Sequence, residues 1–165
     1  MKRTLTWSLL IVVVGAGAFA TALLATPASG FTGTTLAVAR FGEIDVKNHS
    51  IPADSWQARL KTQGNSDVYV QNNTWVPGGS TGWHTHPGHS LILVTEGAVT
   101  AYDGHDPSCT ARVYTAGMGF VDSGGDHVHL LRNEGTVPAK TIAVQTIPAG
   151  AVRRIDAPSP GNCPF

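Results

Sequence analysis

From Gly30 onward the apolar residues come in short runs, alternating or continuous, and no stretch sustains the 3.6-residue period of an amphipathic helix. "TLAVARF" (35–41) is a strand candidate, and "SWQARLKTQG" (55–64) reads as a short helix or another strand. "DVYVQNNTWV" (67–76) alternates and stops at the turn cluster "PGGSTG". "SLILVTEGAVTAYDG", "ARVYTAGMGFV", "HVHLLRNEG" and "TIAVQTIPAG" follow, and Glu96-Gly97 reads as the turn of a hairpin joining "LILV" to "AVTAY". Short strands with Gly-rich turns between them predict an all-β sandwich or barrel. The tail "GAVRRIDAPSPGNCPF" is expected to be extended.

The first thirty residues follow a different pattern. Lys2 and Arg3 precede an uncharged run from Leu5 to Ala25, and the small residues "TPASG" follow it. A basic start, an apolar middle and a small-residue end are the parts of a secretory signal peptide. Cleavage is expected after Ala28 or Gly30. The run also approaches the ~20 apolar residues that span a bilayer, so an uncleaved N-terminal anchor is the alternative. The organisation read here is a leader over 1–30 and one domain over 31–165. The body of the protein is expected to be secreted or extracytoplasmic, with no stable membrane association once the leader is cut.

Composition narrows the partners. Lys+Arg and Asp+Glu both number 11 and only 13% of the 165 residues are charged, so no basic surface for nucleic acid is expected. The chain has two cysteines, Cys109 and Cys163. An even count in an exported chain favours one disulfide, which would tether the tail to the middle of the domain. A cysteine metal ligand is the weaker alternative, because neither lies near the histidines in sequence.

Six of the seven histidines fall between His84 and His129. His84 and His86 in "GWHTHPGHS" are two apart, as are His127 and His129 in "HVHLLRN". On a strand, residues two apart share a face, so each pair can aim into a barrel interior. Neutral imidazoles suit Fe, Mn, Ni, Cu or Zn, and ligand type alone does not choose among them. Against this stands the ordinary reading, in which histidines in a Gly-rich loop are solvated or bonded to backbone. His49 and His105 receive no role. Trp75, Trp83 and Tyr102 are read as core or barrel lining, and Asp122 and Asp126 as turn residues first and candidate bases second. No catalytic residue is assigned.

The two histidine segments also carry a family resemblance. "PGGSTGWHTHPGHSLILVTEGAVTAYDG" resembles the first conserved motif of the cupins through Gly78, His84, His86 and Gly97. "GFVDSGGDHVHLLRNEG" resembles the second through His129 and Asn133. The resemblance implies an antiparallel jelly-roll barrel. It also implies a divalent transition metal held by His84, His86 and His129. The carboxylate of the first motif would fall at Ser90, so it is missing; Glu96 belongs to the turn. His89 and His127 are candidates for the fourth ligand, and a three-histidine site is the other option. The activity implied is metal-dependent oxygenase, isomerase or lyase chemistry on a small molecule. The alternative is a non-catalytic barrel that binds a metal or small ligand. Cupins often pair through their sheets, so a homodimer is an expectation by resemblance.

Overall fold

A computed structural model of the chain describes residues 25–49 and 56–165. The described residues contain twelve strands: β1 Ser29–Phe41, β2 Asp45–His49, β3 Gln57–Lys61, β4 Ser66–Ser80, β5 His84–Thr85, β6 Ser90–Glu96, β7 Ala98–Asp103, β8 Arg112–Thr115, β9 Gly119–Asp122, β10 His129–Arg132, β11 Ala139–Pro148 and β12 Ile155–Asp156. None of these residues is helical, and within "SWQARLKTQG" Gln57–Lys61 form strand β3, paired with β2 in a separate two-stranded ribbon. No helix among the described residues is long and apolar enough to cross a membrane. The expected leader lies outside the described residues up to position 24.

All pairings are antiparallel, and they form two facing sheets. One runs β1-β4-β11-β6-β9 and the other β12-β5-β10-β7-β8, joined where Arg132 of β10 pairs with Ser80 of β4. The strand pattern predicts a sandwich or barrel and the family resemblance a jelly roll; the structure is that jelly-roll barrel.

The expected hairpin at Glu96-Gly97 is not formed. β6 and β7 do not form a hairpin: β6 pairs with β11 and β9, and β7 with β10 and β8. Gly97 is a corner where the chain changes sheet. It has φ +65°, and a Cβ there would strike the Pro138 carbonyl and the Ala139 Cα. A tight turn and a sheet-to-sheet corner both demand glycine, so the dipeptide alone does not separate them.

The interior is graded along the barrel. Inward positions on β4, β6 and β11 are apolar at one end, where Trp75, Ile92, Val94, Ala139 and Ala143 pack with Val99 and Leu131. At the other end the inward residues are Gln71, Ser90 and Gln145, all buried. The second sheet is also covered outside. Trp83, Tyr102 and Leu130 pack beneath Ala157 and Cys163 of the tail. Burial on both faces explains why "HLLR" shows no alternation. The disulfide Cys109–Cys163 is formed and holds the tail there. Such a bond belongs to an oxidising compartment.

The N-terminal strand is tied in by charge. Arg40 donates through Nε and Nη2 to the two carboxylate oxygens of Asp67 at 2.8 and 2.9 Å, and Gly150 N–H donates to Asp67 Oδ2 at 2.8 Å. The Arg40 guanidinium, then the Gly150 amide, hold the Asp67 carboxyl down at about 2. A depressed native pKa gives stability that is present above the unfolded value near 3.8 and lost as pH falls through about 2. Asp67→Asn is therefore expected to be less stable than wild type at pH 7. The gap should close as urea melts are repeated down towards pH 2; a gap that stays constant with pH would exclude this linkage.

Thr26, inside the expected leader, also contacts the barrel: Trp83 N–H donates to Thr26 Oγ1 at 2.6 Å, and Thr26 N–H to the Ala157 carbonyl at 3.1 Å.

Candidate metal centre

His84 on β5 lies directly opposite His129 on β10, so both rings project from the same face into the polar end of the barrel. His86, two residues on, joins them. The ring centroids stand 4.3 Å (His84–His129), 4.8 Å (His84–His86) and 5.5 Å (His86–His129) apart. One ring nitrogen from each lies within 4.8 Å of the others, and all three residues are buried.

The loops that carry them are stapled together. Gly125 N–H donates to the His86 carbonyl at 2.7 Å, and Thr85 Oγ to the Gly125 carbonyl at 2.7 Å. A Cβ at Gly124 would collide with the Gly88 carbonyl, so glycine is required where the two turns touch.

Each ring is oriented by a backbone carbonyl. His84 Nδ1 faces Gly82 O at 2.9 Å, His86 Nδ1 faces Arg153 O at 2.7 Å, and His129 Nδ1 faces His127 O at 3.3 Å. A carbonyl only accepts, so each Nδ1 carries the proton and each Nε2 keeps its lone pair. This arrangement is typical of metal-bound histidine. Burial opposes protonation of all three. It brings His86 down to about 4, and it lowers His84 and His129 with help from neighbouring positive charge. The rings are therefore neutral at pH 7, the form that ligates. Oriented neutral donors in a buried cluster fit a divalent transition metal.

Residues 73–145 match the family model described as a cupin domain. The matched segment is a cupin domain. No curated protein matches the chain. Among solved structures, an oxalate oxidase is 22% identical over 50% of this chain and 46% of its own, with a TM-score of 0.42. A double-stranded β-helix protein from Klebsiella pneumoniae is 25% identical over 56% and 74%, with a TM-score of 0.44. A cupin domain of an XRE-family transcriptional regulator from Enterobacter cloacae is 13% identical over 71% and 96%, also with a TM-score of 0.44. The chain spans less than half the length of the oxalate oxidases it resembles.

The other sequence candidates divide. Ser90, the position of the cupin carboxylate, points inward and accepts a hydrogen bond from Gln145 Nε2 at 3.2 Å. His89 is not brought to the cluster; it borders a separate surface cavity with Lys61, Gln63 and Pro148. His127 precedes β10 rather than lying on it. Its ring stacks on His129 at 5.7 Å and falls in a second group with Asp122 and His129. Glu96 is exposed and pairs with Lys140 at 2.9 Å. His105 is a loop residue, 3.8 Å from Asp103. Trp75, Trp83 and Tyr102 are core.

Asp122, by sequence a turn residue first and a candidate base second, closes a turn through Gly124 and is also buried beside the histidines. It is 3% exposed, with Oδ2 3.6 Å from His86 Nε2 and Oδ1 3.5 Å from His129 Nδ1. The cavity beside the histidines, about 50 Å³, is lined by Gln71, Asn73, Gln145 and Arg153 among others, and holds on the order of a few water molecules.

Proposed function

We propose that this protein is an exported cupin that holds a divalent transition metal through His84, His86 and His129 and takes a small organic anion beside it. The observation that carries this reading is the shared orientation of three buried imidazoles, each with Nδ1 on a carbonyl. When bound, the ion supplies Lewis-acid or redox chemistry. That is the basis for the oxygenase, isomerase or lyase activity expected from the resemblance, while capture without turnover draws on the same residues.

The charge in the cavity selects the ligand. Arg154 is committed, donating to Asp156 Oδ1 and to the Thr81 carbonyl, both at 2.6 Å. Arg153 lines the cavity, its positive charge is felt at His86, and its guanidinium has no side-chain hydrogen bond or ion pair among the described residues. Burial and Arg154 pull its pKa down, the mark of a half-buried cation lacking an anion. With a divalent ion present the cavity carries excess positive charge, and a carboxylate answers it. Gln145 Oε1, buried and unpartnered, adds an acceptor for a ligand hydroxyl or N–H. The small cavity restricts the ligand to a few heavy atoms.

Elemental analysis of the purified protein should find about one transition-metal equivalent. Calorimetry with short mono- and dicarboxylates should show binding to the loaded form. Arg153→Ala should weaken that binding by about 10- to 100-fold, the worth of a charge-assisted hydrogen bond, without changing metal content, because the carbonyl that holds His86 is kept. A protein that takes up none of Fe, Mn, Ni, Cu or Zn would end this reading. Carboxylate affinity indifferent to Arg153 would end its anion part.

A further inference from the structure

The cavity has no carboxylate at position 90, yet one stands directly across the sheet. Ser90 of β6 pairs with Asp122 of β9. Opposed residues in an antiparallel ladder send their side chains to the same face, so the register that turns Ser90 inward also turns Asp122 inward. Both are 3% exposed.

The two oxygens of Asp122 are in different situations. Oδ1 accepts the Gly124 N–H at 3.0 Å and closes a local turn, which sets the side chain's direction. Oδ2 is buried and has no hydrogen-bond partner among the described residues. It lies 3.6 Å from His86 Nε2. His86 Nδ1 is spent on the Arg153 carbonyl, so the nitrogen facing Oδ2 bears a lone pair. A carboxylate oxygen and an imidazole lone pair gain nothing from each other, and a buried acceptor without a donor costs on the order of 1–3 kcal/mol. A cation between them satisfies both. Donors held by one transition metal at ~2.0–2.2 Å stand roughly 3–3.5 Å apart, so the Asp122–His86 spacing needs only a slight contraction, while Asp122 is not within 4.8 Å of all three histidine donors and its side chain has to shift towards them to complete the set.

A purely structural role accounts for less. Asp122 Oδ1 is 3.5 Å from His129 Nδ1 and 3.7 Å from His127 Nδ1, both long for hydrogen bonds, and His129 Nδ1 already faces a carbonyl. Those contacts use Oδ1 and leave Oδ2 unexplained.

We infer that Asp122 is the carboxylate ligand of this centre, supplied from β9 in place of position 90 on β6. The inference rests on the three-histidine metal reading and adds to it a fourth donor and a negative charge. The centre would then draw two ligands from β5 and the residue following it, one from β10 and one from β9.

The test is Co(II) titration of the purified protein, read by visible absorption and by affinity, in wild type, Asp122→Asn and Asp122→Asn/Ser90→Glu. Asn keeps the Oδ1 that closes the Gly124 turn, so the fold is preserved while the anionic donor is lost. Asp122→Asn should weaken Co(II) binding at least tenfold and alter the d–d bands. Glu at position 90, aimed into the same space, should restore most of both. Wild-type affinity and spectrum in Asp122→Asn would overturn the inference and leave the three-histidine centre standing. So would a loss that Ser90→Glu does not rescue and that leaves the spectrum of the bound ion unaltered, because outer-sphere partners also cost about 10- to 100-fold. A wild type that binds no Co(II) would overturn the metal reading and this inference together.

Discussion

His84→Ala and His129→Ala are each expected to abolish metal loading, with affinity falling by more than about 100-fold. That exceeds the loss typical of outer-sphere substitutions, because each change removes a donor that nothing nearby can replace. His84 and His129 face each other across β5 and β10, and both are at most 5% exposed. Among the described residues neither of the other candidate imidazoles takes their place: His89 borders a different cavity, and the His127 ring is stacked on His129 at 18°. His89→Ala should therefore load like wild type. His127→Ala should keep the ion with at most a modest loss, since its backbone carbonyl, which orients His129, survives the substitution. The barrel tolerates loss of an imidazole because its stability comes from the apolar end around Trp75 and Val99. Metal content by elemental analysis, with circular dichroism to confirm the fold, decides the matter. Full loading in His84→Ala would mean that the ion is held elsewhere, and equal losses in His89→Ala and His84→Ala would mean that uptake is non-specific.

The histidines were legible in the sequence because their signal is local. A spacing of two on a strand places His84 and His86 on one face whatever the rest of the chain does, and the pairing with His129 only had to bring two strands together. Asp122 was not legible for the opposite reason. Within "FVDSGGDH" it has the company of a turn residue, and it is one, through Oδ1 and Gly124. The ligand role inferred for it depends on the β6–β9 register, which no local pattern states. The missing Glu at Ser90 was the available clue, and the sequence neighbours His89 and His127 drew attention away from a residue 32 positions on. The same limit explains Gly97. Strand periodicity located β6 and β7 correctly, but whether two adjacent strands pair or part is set by the sheets they join. Arg153 was hidden too, because the tail reads as a tether. In the structure its carbonyl orients His86 and the residue lines the cavity.

Removing the disulfide should cost more than any single surface contact, and its effect should reach the histidines. Cys109 and Cys163 are 54 residues apart in sequence, and a loop of that length is worth about 4 kcal/mol in the chain-entropy model. For a domain of this size, Cys109→Ser/Cys163→Ser should lower Tm by on the order of 10 °C. The bridge fixes the end of a segment that does several jobs. Ala157 and Cys163 cover Trp83, Tyr102 and Leu130, and Phe165 packs edge-on to Tyr102 at 5.0 Å. β12 pairs with β5 at Ile155–Thr85 and Asp156–His84, and the Arg153 carbonyl holds His86 Nδ1. Without the bridge, β12 keeps its pairing in the native state but opens more often. Each opening releases His86 from its orienting carbonyl and uncovers Trp83. The variant should therefore exchange its metal faster and bind it more weakly than wild type, while Trp83 becomes accessible to fluorescence quenchers. Tm, metal dissociation rate and quenching are enough to see this. If Tm stays within about 2 °C of wild type, packing alone docks the tail. If Tm falls but the metal dissociation rate is unchanged, the tail is a stabiliser with no hold on the centre, and His86 is oriented by the turn that follows β5.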